Sequence, residues 1–340
     1  MISFTNKNFS LFQIIVFSLI VSVVTFSLTS VWEERKNVEL NATASESFSC
    51  NYDIKRLDGF KYVRPILFVE DKCESENLMG IKQTISQIIE RYKTNEGVTN
   101  TSVYLREYSQ NEWMCINENE TYEPGSLFKV PVLIAILKMN EKNPGFLNKK
   151  IKYEKIITLD KNVAFVSKTI QLGQTYTIRE LLTYMIKYSD NAATILVENN
   201  MSTEVLQKLF SDVGIEVPNV YATKYLFNVR DYSIFMRIIY NVGYLTMEDS
   251  EFAAELLTQC DFKDGIVKGI PKNIKLSHKF GESGNQIEKQ LHETAIVFLE
   301  GKPYLLTIMT KGKNNNTLCK LIAEISNAVY VDVNNQQSSM

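Results

Sequence analysis

Histidine is scarce in this sequence, and the cysteines show no paired spacing. The 340 residues include only two histidines, His278 and His292. The five cysteines are Cys50, Cys73, Cys115, Cys260 and Cys319. None forms a CxxC pair or has metal-ligand spacing to a histidine, and metal sites need clustered nitrogen and sulfur ligands. The sequence therefore argues against a metal site, and no other cofactor is implied.

The odd number of cysteines limits how they can pair. Outside the cytoplasm, an odd count leaves at least one thiol unpaired or paired between chains. Cys50 and Cys73 are the only candidate for a bridge within the chain.

The sequence also lacks an excess of charge of either sign. It has 37 Lys and Arg residues against 39 Asp and Glu, with a pI near 5.9. Binding to nucleic acid needs a basic face, so that class of function is set aside. The apolar fraction of 45% and the charged fraction of 22% are typical of a globular protein. A chain of this length can form one large domain or two small ones.

Long apolar runs are absent except for one near the N-terminus. Residues 11–32, LFQIIVFSLIVSVVTFSLTSVW, carry no charge, and about 20 apolar residues suffice for a helix to cross a membrane. The alternative is a cleaved signal peptide, whose apolar stretch is usually about 7 to 15 residues and ends in an A-x-A-like site. This run is longer and lacks that site, which favours a retained transmembrane anchor preceded by a cytoplasmic tail, residues 1–10.

The rest of the chain predicts a stalk or lead-in over residues 33–77 and one domain over 78–335. Helical spacing begins near Gly80, and residues 101–109 and 112–116 are typical of a hairpin. A buried helix is predicted over 126–139, and Thr177 with Glu180 forms a capping-box pattern at a second helix. Further helices follow to residue 260, then three strands over 275–310 and a final helix over 316–330. This order predicts an α+β fold of three layers, α/β/α, in which early and late strands form one antiparallel sheet and the middle is helical.

A serine and a lysine stand one helical turn apart at the start of the buried helix. Ser126 and Lys129 occur in the sequence Ser-Leu-Phe-Lys, so their side chains share one face and can share a proton. Burial or a nearby positive charge can bring a lysine toward neutrality, where it accepts a proton from serine. Alone, this spacing is common by chance at solvated helix starts.

Two further motifs follow in the chain. Ser189-Asp190-Asn191 lies in the break between two predicted helices, where side chains can point into a cleft, although Asp and Asn are also ordinary helix caps. The third motif is Lys279-Phe280-Gly281 on a predicted strand, where a glycine permits close approach of a substrate backbone.

In this order, the three motifs resemble the S-x-x-K, S-D-N and K-x-G set of class A β-lactamases and penicillin-binding proteins. The resemblance extends to the neighbourhoods YEPGSLFKVPVLIAIL, RELLTYMIKYSDNAATIL and LSHKFGESG, and it covers roughly residues 78–332. It implies a β-lactamase-like fold and an enzyme that forms an acyl-enzyme with β-lactams or with cell-wall stem peptides. It also implies that the domain lies outside the cytoplasm, held by the anchor.

The resemblance assigns a role to each matching residue. Ser126 would be the acylated nucleophile and Lys129 its base, while Ser189 would relay the proton to the leaving nitrogen. Asn191 would hold a substrate amide, and Lys279 would bind a carboxylate or tune Ser189.

The oxyanion hole and the strand edge complete the implied site. Backbone N–H groups of Ser126 and Glu282 would stabilise the tetrahedral intermediate. Gly281 belongs to the same substrate-binding edge. Asp190 is assigned to structure.

Two departures from the family pattern bear on turnover. Class A β-lactamases use a loop glutamate to activate the deacylating water, but residues 214–230 contain only Glu216 as an acid, placed too early to match. Phe280 replaces the usual hydroxyl residue, and Ser283 is an unreliable substitute. We therefore expect a DD-peptidase-like enzyme or a slow β-lactamase. The alternative is a non-catalytic β-lactam sensor or wall-binding module that kept the fold.

Overall fold

A computed structural model describes residues 52–157, 165, 167–217 and 225–335, together with Thr25, Ser27 and Thr29. The strands are β1 (Tyr52–Arg56), β2 (Ile66–Asp71), β3 (Val98–Glu107), β4 (Glu112–Ile116), β5 (Lys150–Lys152), β6 (Thr175–Thr177), β7 (Leu276–Gly284), β8 (Lys289–Val297) and β9 (Tyr304–Gly312). The α-helices are α1 (Met79–Glu96), α2 (Lys129–Lys142), α3 (Ile178–Lys187), α4 (Asn191–Glu198), α5 (Thr203–Val213), α6 (Val229–Tyr240), α7 (Met247–Thr258) and α8 (Asn315–Asn335).

Five antiparallel strands form the main sheet in the order β4-β3-β9-β8-β7. Early strands and late strands therefore share one sheet, as the sequence predicts. Successive side chains of a strand point to opposite faces: Tyr104 packs into one core and Leu105 into the other. Because both faces are apolar, both must be covered by other elements.

Helices cover the two faces of the sheet. Helices α1 and α8 pack together and contact β3, β8 and β9 on one side, whereas α6 contacts the same strands from the other side. Ile81 and Ile85 of α1 are fully or almost fully buried, as expected for residues four apart on one helical face. The predicted α+β fold with helices on both sides of one sheet is confirmed.

The helical middle also forms at the predicted places. Thr177 and Glu180 make the capping box of α3, with the Thr177 side chain accepting from the Glu180 N–H and the Glu180 side chain from the Thr177 N–H. The helix predicted over 126–139 starts later in the structure than predicted. Residues Gly125–Phe128 form a 3₁₀ turn, and the α-helix begins at Lys129.

Part of the segment predicted as a stalk or lead-in is ordered structure. Strands β1 and β2 pair antiparallel, and Leu67 and Phe68 of β2 are buried in the core on the helical-middle side of the sheet. Glu70 at the end of β2 accepts a 2.6 Å hydrogen bond from the Arg237 guanidinium, which is only 1% exposed. From Tyr52 onward this hairpin therefore packs as part of the domain.

Two predictions reach outside the described residues. The predicted span over 11–32 lies there apart from Thr25, Ser27 and Thr29, and no helix among the described residues is long and apolar enough to cross a membrane. Cys73 is in a disulfide, but its expected partner Cys50 is outside the described residues. Cys115, Cys260 and Cys319 are free and buried.

Candidate active site

The first turn after Gly125 brings Ser126 and Lys129 into direct contact. The Lys129 side-chain nitrogen Nζ lies 2.9 Å from Ser126 Oγ. Lys129 is the first residue of α2, and it is 3% exposed at the floor of the cleft. Ser126 is half-buried, and a ligand in the cleft can reach its hydroxyl. The spacing of the two residues in sequence therefore becomes a hydrogen bond between a nucleophile and a potential base.

The surroundings of Lys129 favour its neutral form. Burial lowers its pKa well below the usual value of 10.5, and the positive charge of Lys279 lowers the pKa further. The carboxylates of Asp190 and Glu198 oppose this shift. A buried amine with another cation nearby is the arrangement in which lysine accepts a proton near neutral pH.

Ser189 links the two lysines. Its Oγ lies 3.2 Å from Lys129 Nζ and 2.9 Å from Lys279 Nζ. Its backbone has φ of +53°, in the left-handed region that non-glycine residues seldom adopt. Such strain persists only where the surroundings hold it. Here the backbone carbonyl of Ser189 accepts a 2.6 Å hydrogen bond from Lys129, so the same lysine holds the serine in place.

Asn191 lies against the same amine at the start of α4. Its Oδ1 accepts a 2.7 Å hydrogen bond from Lys129 Nζ, which leaves the amide NH₂ to face the cleft that Asn191 lines. An amide in this orientation can donate to the carbonyl oxygen of a bound substrate.

Asp190 has a structural role, as the sequence indicates. Its carboxylate caps α4 by accepting from the Ala192 N–H at 2.9 Å, and it also accepts from Thr169 Oγ1 at 3.0 Å and the Ile170 N–H at 2.8 Å. Asp190 is 6% exposed. The bonds from Thr169 and Ile170 tie the segment before β6 to the turn that carries Ser189.

Lys279 extends from β7 into the site and is fully buried. Burial lowers its pKa from 10.5 to about 8, so at neutral pH it remains a cation. Two of its protons go to Ser189 Oγ and to the Phe280 carbonyl, both at 2.9 Å. Lys279 can therefore polarise Ser189 and present positive charge to a carboxylate.

Phe280 does not face the cleft. Its ring stacks on Phe262 with centroids 4.4 Å apart, meets Phe165 edge-on, and is 4% exposed. The residue at the family's hydroxyl position thus belongs to the core here. Ser283 does line the cleft, but its hydroxyl donates to the Glu123 carbonyl at 2.9 Å.

Two glycines allow the Ser126 turn to approach β7 closely. A Cβ added to Gly281 would lie 2.3 Å from the Pro124 carbonyl oxygen, and one added to Gly125 would lie 2.2 Å from the Glu282 carbonyl oxygen. Both distances exclude a side chain. The backbones at Ser126 and Glu282 are therefore held side by side, which is the placement that an oxyanion hole requires.

The site opens into a cleft of about 450 Å³. Ser126, Lys129, Asn191, Glu282 and Ser283 line it, whereas Ser189, Lys279 and Gly281 do not. Thr194 and Glu198 of α4 also line the cleft, and sequence reasoning did not single them out. Their positions three and seven residues after Asn191 put all three on one helical face, a pattern that was visible in the sequence. Glu216, the acid considered from the sequence, is exposed and does not line the cleft.

Within the described part of the chain, no group of three or more His, Cys, Asp or Glu side chains could hold a metal ion. The cleft instead concentrates hydroxyl, amine and amide groups. This chemistry is that of a serine nucleophile with a lysine base.

Solved structures of PBP-A and of β-lactamases share the fold of this chain. A point mutant of PBP-A, in an acyl-enzyme complex with penicillin G, matches with a TM-score of 0.64 and 20% identity over 76% of this chain and 97% of that one. A β-lactamase from Sphaerobacter thermophilus matches with a TM-score of 0.64 and 14% identity, over 74% of this chain and 97% of that one. A class A β-lactamase from Mycobacterium abscessus matches with a TM-score of 0.62 and 16% identity, over 74% of this chain and 98% of that one. At these identities the likeness concerns the fold.

The family follows from a sequence model as well. The model of the β-lactamase enzyme family matches residues 80–333, which is most of the 340-residue chain and spans all three motifs. This chain belongs to that family, and the resemblance inferred from its motifs is confirmed. A comparison with curated protein sequences found no significant match.

Proposed function

We propose that this chain is a serine acyl-transfer enzyme whose Ser126 is acylated by β-lactams and by cell-wall peptides that end in D-Ala-D-Ala. The observation that carries the proposal is the unbroken series of hydrogen bonds from Ser126 Oγ through Lys129 Nζ and Ser189 Oγ to Lys279 Nζ. This series provides both a way to remove a proton from the nucleophile and a way to deliver one to the leaving group.

Acylation follows from these positions. Neutral Lys129 takes the Ser126 proton as Oγ forms a bond to the substrate carbonyl carbon, and the carbonyl oxygen becomes an anion. The N–H groups of Ser126 and Glu282 receive that anion, and a donor of this kind is worth about 3 to 4 kcal/mol in the transition state.

The leaving nitrogen must then be protonated. Ser189 donates its hydroxyl proton to that nitrogen as the carbon–nitrogen bond breaks, and the Lys129 ammonium, 3.2 Å away, returns a proton to Ser189. Lys279 binds the substrate carboxylate and favours proton release from Ser189. Asn191 donates its amide to a substrate carbonyl. The product is an ester between the acyl group and Ser126.

The substrate class rests on chemistry and on family. Penicillins and D-Ala-D-Ala peptides share an amide next to a carboxylate, which fits a nucleophile with a buried cation nearby. The PBP-A mutant with the same fold holds penicillin G as an acyl-enzyme. Residues 214–230 have only Glu216 as an acid, placed too early to match the family's loop glutamate, and this supports a DD-peptidase-like enzyme or a slow β-lactamase over a fast one.

Intact mass spectrometry after incubation with a penicillin tests this function. We expect the mass to rise by that of the whole drug in the wild type and to stay unchanged in Ser126→Ala. An adduct that also forms on Ser126→Ala, or no adduct with penicillins or D-Ala-D-Ala esters, would contradict the proposal and favour a non-catalytic module.

We also propose that the enzyme acts outside the cytoplasm, anchored by residues 11–32. The uncharged run supports a span, and cell-wall substrates lie beyond the membrane. Full-length protein should be recovered in the membrane fraction and be cut by protease added outside the cell. Recovery of a shortened, soluble extracellular form would show a cleaved signal peptide instead.

A further inference from the structure

One face of α4 forms a wall of the cleft next to the nucleophile. Asn191, Thr194 and Glu198 line the cleft along this face, as residues at positions i, i+3 and i+7 do in an α-helix. Asn191 contacts Lys129 directly. Glu198 is two turns further on, about 10 Å along the helix axis at the standard rise.

Helix geometry brings the Glu198 carboxylate back toward the nucleophile. Side chains on a helix lean toward its N-terminus and cover the preceding turn, which here is the turn of Thr194. Thr194 is 8% exposed, and its hydroxyl donates to the Asp190 carbonyl at 2.7 Å. Ser126, Thr194 and Glu198 line the same cleft of about 450 Å³, a volume that is large enough to admit a water molecule beside a bound acyl group.

The electrostatics agree with this position. Burial raises the pKa of the Glu198 carboxyl above its usual value of 4.5, and the positive charge of Lys129 opposes the rise. Glu198 in turn acts on the pKa of Lys129, so the two groups interact. A carboxylate with a raised pKa is a stronger base at neutral pH than an exposed one.

Other acids near the site are placed less well for this role. Asp190 is committed to three hydrogen bonds. Glu282 lies on β7, beside the N–H groups that receive the oxyanion, and Glu216 lies outside the cleft. In contrast, the Glu198 carboxylate has no hydrogen bond or salt bridge to another described residue, and only the longer-range charge of Lys129 acts on it.

We propose that Glu198 is the general base that activates water to hydrolyse the acyl-Ser126 ester. This inference rests on the proposed function and assigns the deacylation step to a helix residue. The carboxylate removes a proton from water as the water oxygen bonds to the ester carbonyl carbon. The tetrahedral anion then collapses and the carbon–Oγ bond breaks. Ser126 Oγ receives the proton that Glu198 took from water, relayed through the neutral amine of Lys129, which lies 2.9 Å from it. The acid product leaves ionised and its own proton passes to solvent, so that Glu198 ends as a carboxylate and Lys129 as a neutral amine, ready for the next acylation.

The test separates formation of the acyl-enzyme from its decay. Wild type, Glu198→Gln and the control Glu216→Gln are mixed with a penicillin, and the adduct mass is followed by rapid-quench mass spectrometry. We expect all three to acylate at rates within about threefold. Decay in Glu198→Gln should be slower by about 100-fold or more, as expected for loss of a general base, while Glu216→Gln should match the wild type.

Two further readouts distinguish a base from a packing residue. The decay rate of the wild type should rise with pH and level off above the Glu198 pKa, whereas that of Glu198→Gln should lack this limb. Glu198→Asp keeps a carboxylate and should decay faster than Glu198→Gln, which also keeps the test valid if the glutamine variant folds poorly.

The outcomes are distinct for the two proposals. An adduct that decays equally fast in the wild type and Glu198→Gln, or that persists in the wild type, overturns the role of Glu198 and leaves the acyl-enzyme function intact. Absence of any Ser126-dependent adduct overturns the function, and the role of Glu198 with it.

Discussion

Acylation of this enzyme should depend on the charge of Lys279, and that charge should be lost at mildly alkaline pH. Burial lowers the pKa of Lys279 to about 8, so the cation is present below pH 8 and is lost above it. If acylation needs this cation, its second-order rate constant should fall about tenfold per pH unit well above the pKa. At pH 9 the protonated fraction, and with it the rate constant, is about one tenth of the plateau.

Replacement of Lys279 by glutamine should change both sides of the pH profile. The alkaline limb should disappear, and the plateau should drop because the contact with the substrate carboxylate is lost. The positive charge of Lys279 also lowers the pKa of Lys129. Without it, the Lys129 pKa rises, and the acid limb, where Lys129 becomes neutral and active, should move to higher pH.

The assay is stopped-flow acylation by a chromogenic β-lactam from pH 5 to 10, at reaction times short enough to avoid alkaline hydrolysis of the drug. Lys263→Gln is the matched control, since Lys263 is exposed and lies outside the active cleft, and it should keep both limbs. A rate constant that stays flat from pH 7 to 10 in the wild type, or an alkaline limb that survives in Lys279→Gln, would refute the reasoning.

Three other substitutions test the architecture around the site. Gly281→Ala puts a Cβ 2.3 Å from a backbone oxygen and should slow acylation about 100-fold, because it displaces the oxyanion donors. The control is Gly80→Ala, where the added Cβ has no atom within 4 Å, and it should leave the acylation rate unchanged. Asp190→Ala removes a helix cap and two further hydrogen bonds and should lower the free energy of unfolding in urea by about 3 kcal/mol; a loss below about 1 kcal/mol would contradict its structural role. Glu70→Ala leaves the buried Arg237 guanidinium without its carboxylate and should cost about 3 kcal/mol in the same urea assay, so an unchanged midpoint would show that the β1–β2 hairpin contributes little.

Short-range patterns in the sequence were sufficient to predict many of the helices and strands. Helix α3 begins at the capping box that Thr177 and Glu180 predict, because a cap depends on residues only three apart. The hairpin of β3 and β4 has the predicted position, since strand alternation and a short turn are also local features. The same holds for Ser126 and Lys129, whose contact follows from one turn of helix.

The chain order of the motifs also predicted a family, and through it the composition of the site. It did not predict which side chains would face the cleft. Phe280 occupies a motif position, yet its ring packs on Phe262 in the core. Ser283 was a possible substitute for the missing hydroxyl, but its proton goes to the Glu123 carbonyl.

The sequence by itself determined the elements, their order, and the serine–lysine pair, because each depends on neighbours within a few residues or on a recognisable motif. Only the tertiary structure decided the downward shift of the Lys129 pKa, because that shift depends on burial and on Lys279, which the sheet brings in from far along the chain. It also decided the place of Glu198 in the cleft. Charges interact according to distance in space and the surrounding dielectric, and neither quantity can be read from spacing along a chain.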